Sequence, residues 1–222
     1  MDLNRTNKIT CISASNIVGA KDHSASTRTC LLIKDTIQQF AKVKTDVEII
    51  RLIDYDLVPC QMCGKCINDL ACVNDEGFNQ IHAKMKASDA IFIVCPHYAP
   101  IPSKVMILLE KLEEMVFLKT TDNPIYKFTL HDKPIGIIVH GGQTEDALPY
   151  YKAYLLELIA NALSSLQMRV IGAGNGWEKG VAFGIQNITK PQGSIFVNIE
   201  HDWKLIQGRI TPLVKNVLNF LE

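Results

Sequence analysis

Four cysteines concentrated in one short stretch are the clearest sign of chemistry in this sequence. They have the spacing C-x2-C-x2-C-x5-C, and they are Cys60, Cys63, Cys66 and Cys72, out of seven cysteines in the chain. Thiols at three-residue intervals allow a wound loop to point them at one centre, and Gly64 gives the backbone the freedom that this needs. The same C-x2-C-x2-C run begins bacterial loops that bind a [4Fe-4S] cluster, whereas a structural zinc site usually has two C-x2-C pairs separated by a longer span. The spacing predicts a metal cluster; four reduced thiols, or one redox-active pair, are the alternatives.

A loop rich in hydroxyl side chains follows the first predicted strand, residues 8–13, and runs into a predicted helix. The candidate hydroxyl donors in this loop are Ser15, Ser24, Ser26 and Thr27. A helix start of this kind binds phosphate through free backbone N–H groups and the positive end of the helix dipole, with Arg28 as a possible charge partner. Neither G-x-G-x-x-G nor a Walker lysine motif is present, which disfavours a dinucleotide or P-loop site. The alternative is that Ser24 or Ser26 only caps the helix.

Two further loops have residues suited to a planar ligand. The apolar strand predicted at residues 90–94 ends in a proline-rich loop, and the strand predicted at residues 134–139 ends in a glycine pair. The candidate residues of the two loops are Pro96, His97, Tyr98, Ala99, Pro100 and Ile101, and then His140, Gly141, Gly142 and Gln143. A ring-binding loop needs stiffness and an aromatic or histidine side chain, and glycines permit close backbone approach. A structural histidine, a packed tyrosine and a plain turn are the alternatives.

Strands alternate with helical patterns along the chain, which predicts an α/β fold with a doubly wound, five-stranded parallel sheet. We expect one domain over residues 1–222, with the cysteine-rich loop 59–75 inserted after the second strand. The remaining predicted strands are residues 47–53, 167–172 and a possible extra strand at 194–199; the predicted helices after the first are 76–87, 103–116, 145–166 and 210–221. In the flavodoxin-like order 2-1-3-4-5, the three candidate loops lie side by side at the carboxyl ends of strands. One flat, phosphorylated ligand such as flavin mononucleotide (FMN) could contact all three.

The overall composition is that of an ordinary globular protein. Its 23 basic residues balance 23 acidic residues. A nucleic-acid or membrane-surface partner would normally require an excess of basic residues, so the composition does not indicate such a partner. No apolar run is long enough to span a bilayer, and the first residues lack the apolar segment of a signal peptide. The other three cysteines, Cys11, Cys30 and Cys95, lie in apparent core elements. We therefore expect a cytoplasmic protein with reduced thiols.

The sequence resembles the flavodoxin-like NAD(P)H-dependent FMN reductases, and most closely their iron–sulfur flavoprotein branch. The resemblance covers residues 9–174 and rests on Ile12-Ser13-Ala14-Ser15, the cysteine stretch, Pro96-His97-Tyr98, the helix start at Ser103 and His140-Gly141-Gly142. Three departures accompany it: Ala14 replaces a usual glycine, the phosphate loop is longer, and Pro100 replaces a small residue. In addition, Glu110 and Lys111 stand near the position where the family's third helix has an Asp-Arg pair.

The resemblance implies an enzyme that binds FMN and forms a homodimer or homotetramer. It places the FMN phosphate at Ser15, Ser26 and Thr27, with Ser13 and Ser24 beside them. It places the isoalloxazine ring between residues 96–101 and residues 140–143. It also implies a [4Fe-4S] cluster on the four cysteines, close to the flavin of a neighbouring subunit.

The sequence therefore leads to one expected function and two alternatives to it. The first is an FMN-dependent redox protein that passes electrons between a transient NAD(P)H donor, or a protein donor, and an acceptor through FMN and the cluster. The second is a cluster-free NAD(P)H-dependent FMN or quinone reductase whose cysteines are structural or bind zinc. The third is a flavin electron carrier that turns over no substrate. No acid–base residue is nominated, since the cofactors carry the chemistry; His97 or Tyr98 could tune the flavin by hydrogen bonding.

Overall fold

The computed structural model describes residues 6–17, 23–195 and 197–222. Its main feature is a parallel sheet with the order β2-β1-β3-β4-β5, so the predicted strand order is confirmed. The strands are β1 (Asn7–Ser13), β2 (Thr45–Arg51), β3 (Ala90–Pro96), β4 (Pro134–Thr144), β5 (Arg169–Ile171), β6 (Val181–Ile185), β7 (Asn187–Thr189) and β8 (Asn198–Glu200). The helices are α1 (Ala25–Phe40), α2 (Glu76–Ala87), α3 (Ser103–Asp122), α4 (Leu148–Tyr151), α5 (Glu157–Ser165) and α6 (Trp203–Leu221).

The sheet is buried on both faces because helices cover each of them. Successive residues of β3 alternate between the two sides: Ile91 and Ile93 pack in the core beneath α2, α3 and α5, whereas Phe92 and Val94 pack in the core beneath α1 and α6. Every residue of β3 is buried. This two-sided burial explains why β3 is a continuous apolar run in the sequence, without polar alternation.

The fifth position in the sheet is shared by two short strands, and the sequence predicted only one. β5 pairs with residues 134–136 of β4, and β6 pairs with β4 from Ile138 to Thr144 along the same parallel direction. The five predicted parallel strands are confirmed in their order, and β6 is an additional short strand that the sequence analysis did not locate. β6 is fully buried but contains a glycine and only five residues, so its pattern is too short to distinguish a strand from a loop.

Other boundaries also differ from the predictions. The predicted helix 145–166 is a 3₁₀ turn (Glu145–Ala147), α4, a π-helical turn (Lys152–Leu156) and α5 in succession. The predicted strand 194–199 is shifted to β8, which pairs with β7 in a separate two-stranded sheet. α6 begins at Trp203, because Asp202 caps it by accepting a hydrogen bond from the Leu205 N–H at 2.9 Å.

The three cysteines predicted to lie in core elements are all buried. Cys11 and Cys30 belong to one core and Cys95 to the other. Burial raises the pKa of the Cys11 thiol to about 12, so this group remains protonated at neutral pH. Within the described ranges, none of the helices is long and apolar enough to cross a membrane.

Candidate functional site

The carboxyl ends of β1, β3 and β4 border a cleft, which we call the strand-end cleft. Eight of the residues that the sequence predicted as ligand contacts line it, namely Ser15, Ser26, Pro96, His97, Tyr98, His140, Gly141 and Gly142. The sequence analysis missed the other lining residues: Ile17, Ala25, Ile185, Ile199 and His201. Ile185 is the last residue of β6, which the sequence analysis did not locate. Ile199 lies in β8 and His201 follows it, and the possible strand predicted there was not assigned to the ligand site. Residues 18–22 of the predicted phosphate loop lie outside the described residues.

Three hydroxyl groups at the start of α1 bind one another and do not line the cleft. Ser24 caps the helix by accepting from the Thr27 N–H at 3.2 Å, and its hydroxyl donates to Thr27 Oγ1 at 2.9 Å. Ser13 Oγ lies 2.8 Å from the same Thr27 oxygen. All three side chains are buried, so they fix the helix start against the end of β1. The capping interpretation thus holds for Ser24, and Ser15 and Ser26 are the hydroxyls that line the cleft.

A buried histidine connects the first and third of the predicted loops. His140 Nε2 lies 2.8 Å from Ser26 Oγ, and the imidazole stacks on Phe183 with ring centroids 4.9 Å apart. Burial, and then the charge of His201, lower the pKa of His140 to about 3. Burial followed by Arg28 also lowers the pKa of His201. His140 is therefore neutral at pH 7, and the positive potential at this end of the cleft comes from the helix start.

The second predicted loop contributes a polar atom with no partner among the described residues. His97 Nε2 is buried and has no hydrogen-bond partner in residues 6–17, 23–195 and 197–222, while the His97 backbone N–H donates to the His140 carbonyl at 2.7 Å. Buried polar groups in native proteins nearly always have a partner, so an orphaned nitrogen in a cleft indicates a bound ligand or water. The polar edge of a ring such as that of FMN would give this nitrogen a hydrogen-bond partner, so FMN suits the site.

The two glycines near the carboxyl end of β4 have different reasons to lack a side chain. A Cβ on Gly141 would collide with the phenol ring of Tyr151, whose hydroxyl accepts from the Gln143 N–H at 2.9 Å. A Cβ on Gly142 would meet open space. Gly141 is thus required by packing, and Gly142 leaves the cleft accessible to a flat ligand.

Besides Ser13, Ser24 and Thr27, four predicted contacts do not line the strand-end cleft: Ala99, Pro100, Ile101 and Gln143. Gln143 is held by Tyr151, and Ile101 packs against the core beneath α3. Ala99 adopts a positive φ of 57°, and the carbonyl of Pro100 accepts from the Tyr98 N–H at 2.8 Å. These contacts stabilise the loop that presents His97 and Tyr98.

An aromatic cluster beside the cleft was missed by the sequence analysis. Tyr150 lies edge-on to His97, with centroids 5.3 Å apart, and Tyr154 lies 4.8 Å from Tyr150. The two residues are 45% and 56% exposed, so they form an open aromatic wall. Tyr150 lies in α4 and Tyr154 lies in the π-helical turn that follows it, a feature that often occurs at functional sites. The signal available in the sequence was the four-residue spacing of these two tyrosines on one helix face.

The four clustered cysteines line a second, mainly apolar cleft against α3, which we call the cysteine cleft. Cys60, Cys63, Cys66 and Cys72 all border it, and all four are free thiols. Gly64 adopts the left-handed conformation, with φ of 67°, before the 3₁₀ turn Lys65–Ile67. The predicted backbone role of this glycine is therefore confirmed.

The thiols share this cleft without surrounding a single point. Among the residues that the structure describes, no group of three or more His, Cys, Asp or Glu side chains is placed to hold one metal ion. A zinc site needs its thiolates about 2.3 Å from one ion, and this arrangement does not provide that. A cubane distributes its cysteines over several irons, so its ligands stand farther apart around a wider centre. The four thiols that border this apolar cleft supply the number and type of donor that a cubane uses.

Side chains of α3 and α2 brace both ends of the cysteine stretch. The Cys60 N–H donates to Glu110 Oε2 at 3.1 Å, and the Cys72 N–H donates to Asn79 Oδ1 at 2.7 Å. Lys111 Nζ lies 3.3 Å from Cys72 Sγ and 3.0 Å from Asp75 Oδ2. The sequence analysis noted Glu110 and Lys111 only as a departure from the family pattern. Lys111 is buried beside Leu112 on α3, whereas Glu110 is exposed at the surface of that helix.

Comparisons with known proteins agree with the fold and with the expected family. A family model described as NADPH-dependent FMN reductase matches residues 8–174. An iron–sulfur flavoprotein of Methanosarcina thermophila is 30% identical over 53 residues, which are 24% of this chain and 28% of that protein. A second iron–sulfur flavoprotein, from Methanocaldococcus jannaschii, is 26% identical over 84 residues, which are 37% of this chain and 44% of that protein. The matches thus span less than half the length of either relative.

Among solved structures, an oxidoreductase from Corynebacterium diphtheriae has a TM-score of 0.60 and 13% identity, with 97% of each chain covered. At that identity the likeness concerns the fold.

Proposed function

This chain belongs to the NADPH-dependent FMN reductase family, and on that premise we propose that it is an iron–sulfur flavoprotein-like oxidoreductase that moves electrons through FMN and a [4Fe-4S] cluster. Family membership makes it an FMN-dependent oxidoreductase with a small-molecule redox partner. The finer proposal concerns the cluster, the residues that hold each cofactor, and the direction of electron flow between them.

The strand-end cleft is the proposed FMN site. Ser15, Ser26 and the backbone N–H groups at the start of α1 would hold the phosphate. Pro96, His97 and Tyr98 would lie along the ring, with Gly141 and Gly142 on its other edge. The observation that carries this assignment is the orphaned His97 Nε2, which a polar edge of the flavin would satisfy.

The residues around that site have defined tasks. The hydroxyl network of Ser13, Ser24 and Thr27 keeps the helix start in place, so that the anion meets preorganised donors. Neutral His140 orients the Ser26 hydroxyl. When bound, FMN would accept two electrons from NAD(P)H and release them one at a time.

The cysteine cleft is the proposed cluster site, with Cys60, Cys63, Cys66 and Cys72 as ligands. The spacing, the shared apolar cleft and the similarity to two iron–sulfur flavoproteins support it. Thiolate ligands require a reducing compartment, so we propose a cytoplasmic protein. We also propose a homodimer or homotetramer, in which the cluster of one chain approaches the flavin of another; light scattering of the loaded protein tests this.

A rapid-mixing experiment tests the function. Protein purified without oxygen and loaded with FMN is mixed with NADPH or NADH while the visible spectrum is recorded. We expect the flavin to bleach first and the cluster absorbance to bleach afterwards. Flavin that neither nicotinamide reduces would favour an electron carrier, and flavin reduction in a protein without iron would favour a cluster-free reductase.

A further inference from the structure

Lys111 is a buried ammonium group placed directly against one of the proposed cluster ligands. Its side chain is 2% exposed, and that of its partner Asp75 is fully buried. Lys111 Nζ lies 3.0 Å from Asp75 Oδ2 and 3.3 Å from Cys72 Sγ, and it is 5.6 Å from the centroid of the Phe78 ring. A buried lysine is uncommon and is nearly always paired. The pair here explains its burial, and the contact with sulfur is additional.

Asp75 is fixed by contacts of its own. Its carboxylate caps α2 by accepting from the Phe78 N–H at 2.8 Å, and it also accepts from the Val58 N–H at 3.0 Å. These two bonds hold the carboxylate at the base of the cysteine stretch. The carboxylate in turn holds Lys111, which directs its ammonium group at Cys72.

On the basis of the proposed function, we infer that Lys111 is a positioning residue for the cluster: it holds the Cys72 sulfur by an N–H···S hydrogen bond and raises the cluster's reduction potential. Hydrogen bonds to the sulfurs and the net charge around a cluster are among the factors that set its potential. Reduction adds negative charge to the cluster and its thiolates. A positive charge at hydrogen-bond distance favours that state, and burial leaves it weakly screened.

A purely structural role makes a different prediction. If Lys111 only neutralises Asp75, its removal destabilises the fold without changing the potential of a cluster that is still bound. The measurement must therefore read the cluster itself in addition to stability or turnover.

The decisive comparison is the midpoint potential of the cluster in wild type, Lys111→Met and Lys111→Arg, each loaded anaerobically and titrated by electron paramagnetic resonance. In Lys111→Met we expect a more negative potential. The expected shift corresponds to about a tenfold change in the ratio of reduced to oxidised cluster, or about 59 mV for one electron. Lys111→Arg keeps the charge and should stay near wild type. Lys119→Met removes a charge from the last turn of the same helix, away from the cysteines, and is the matched control.

A second variant guards against misfolding. Lys111→Met leaves the Asp75 charge buried and unpaired, so the double variant Asp75→Asn with Lys111→Met removes both charges while the amide can still cap α2. We expect the same negative shift in the double variant. Loss of iron in both of these variants, with circular dichroism unchanged and iron retained in Lys111→Arg, would also support the inference.

Other outcomes would overturn it. Equal potentials in wild type, Lys111→Met and the double variant would leave the cluster proposal intact and refute the role of Lys111. Equal loss of iron in Lys111→Met and Lys111→Arg would show that the shape of the side chain matters and its charge does not. Wild type that takes up no iron and sulfide would refute the cluster proposal, and the role of Lys111 with it.

Discussion

The strand-end cleft and the cysteine cleft are built by different means. The first lies at the ends of parallel strands whose register is fixed by the sheet, and buried hydroxyls secure its helix start. The second is formed by a stretch whose only regular structure is one 3₁₀ turn, and it depends on side chains of α2 and α3 for its shape. This difference indicates that the first cleft is preformed by the fold, while the second depends on a few braces and on whatever its thiols bind.

The largest expected effect is the loss of iron from the cysteine cleft without loss of FMN from the strand-end cleft. Cys63→Ser removes one proposed ligand, and we expect complete loss of bound iron with FMN retained, because Cys63 lines the cysteine cleft and is not among the described residues that line the strand-end cleft. Iron and sulfide assays with flavin fluorescence measure both. Cys11→Ala, which changes a thiol buried in the opposite core, is the control and should keep the iron. An iron content of Cys63→Ser equal to that of wild type would contradict the proposed role of Cys63 as a cluster ligand.

Removing a brace of the cysteine cleft should cost much of the protein's stability. Asp75→Ala leaves the Lys111 ammonium buried without its carboxylate, so the free energy of unfolding in urea should fall by about 3–5 kcal/mol. Asp202→Ala is the matched control, since Asp202 caps α6 and has no role in the Asp75–Lys111 ion pair. Its free energy of unfolding should fall by only about 1 kcal/mol. Similar losses in the two variants would mean that the buried ion pair contributes nothing beyond the cap.

The pH dependence of stability should report the buried histidines. The pKa of His140 in the strand-end cleft is lowered to about 3, and burial followed by Lys86 lowers the pKa of His82, outside both clefts, to about 4. Below pH 6.5 the unfolded chain binds protons on these histidines and the folded chain does not. Stability present above pH 6.5 is therefore lost as the pH falls, by up to about 3 kcal/mol for each histidine near pH 4.

Variants assign this pH effect to one region or the other. His82→Gln should flatten the dependence of unfolding free energy on pH between 6.5 and 4 without changing FMN affinity. His140→Gln should flatten the dependence and also weaken FMN binding, because Ser26 loses its partner. If neither variant changes the slope, the lowered pKa values are wrong.

A substitution at Gly141 tests whether the strand-end cleft is as rigid as its packing indicates. In Gly141→Ala the new methyl group meets the Tyr151 ring, and overpacking of this kind costs about 1–3 kcal/mol. FMN affinity, measured by fluorescence quenching, should fall as Tyr151 moves. Gly142→Ala adds the same methyl group to open space, so its melting temperature should match wild type. Equal melting temperatures in both variants would show that the cleft adapts.

The smallest effect is expected at the helix cap of the strand-end cleft. Ser24→Ala removes the acceptor for the Thr27 N–H and should cost about 1 kcal/mol of unfolding free energy. Ser165→Ala removes an exposed hydroxyl bound only to a carbonyl of its own helix and should stay within about 0.5 kcal/mol of wild type. If Ser24→Ala is as stable as Ser165→Ala, the hydroxyl network does not stabilise the start of α1.

The features that could be predicted from the sequence also differ between regions of the molecule. The strand order and eight cleft residues were accessible, since long apolar strands and the loops at their ends have clear local patterns. β6 was not, because so short a strand depends on its pairing with the distant β4. Ile199 and His201 were also hidden, because the local pairing of β7 with β8 does not reveal that these residues lie at the strand-end cleft. Lys111 was not either: its burial is decided by Asp75 and Cys72, which lie 36 and 39 residues away in the chain, and a helical pattern contains no such information.

The most direct test of the central claim is the cofactor content of a fresh anaerobic sample, measured as FMN, iron and sulfide per chain together with the visible spectrum. The account predicts one FMN and about four irons per chain, with cluster absorbance superimposed on that of the flavin. A sample that binds FMN stoichiometrically yet holds no iron after anaerobic reconstitution would contradict it.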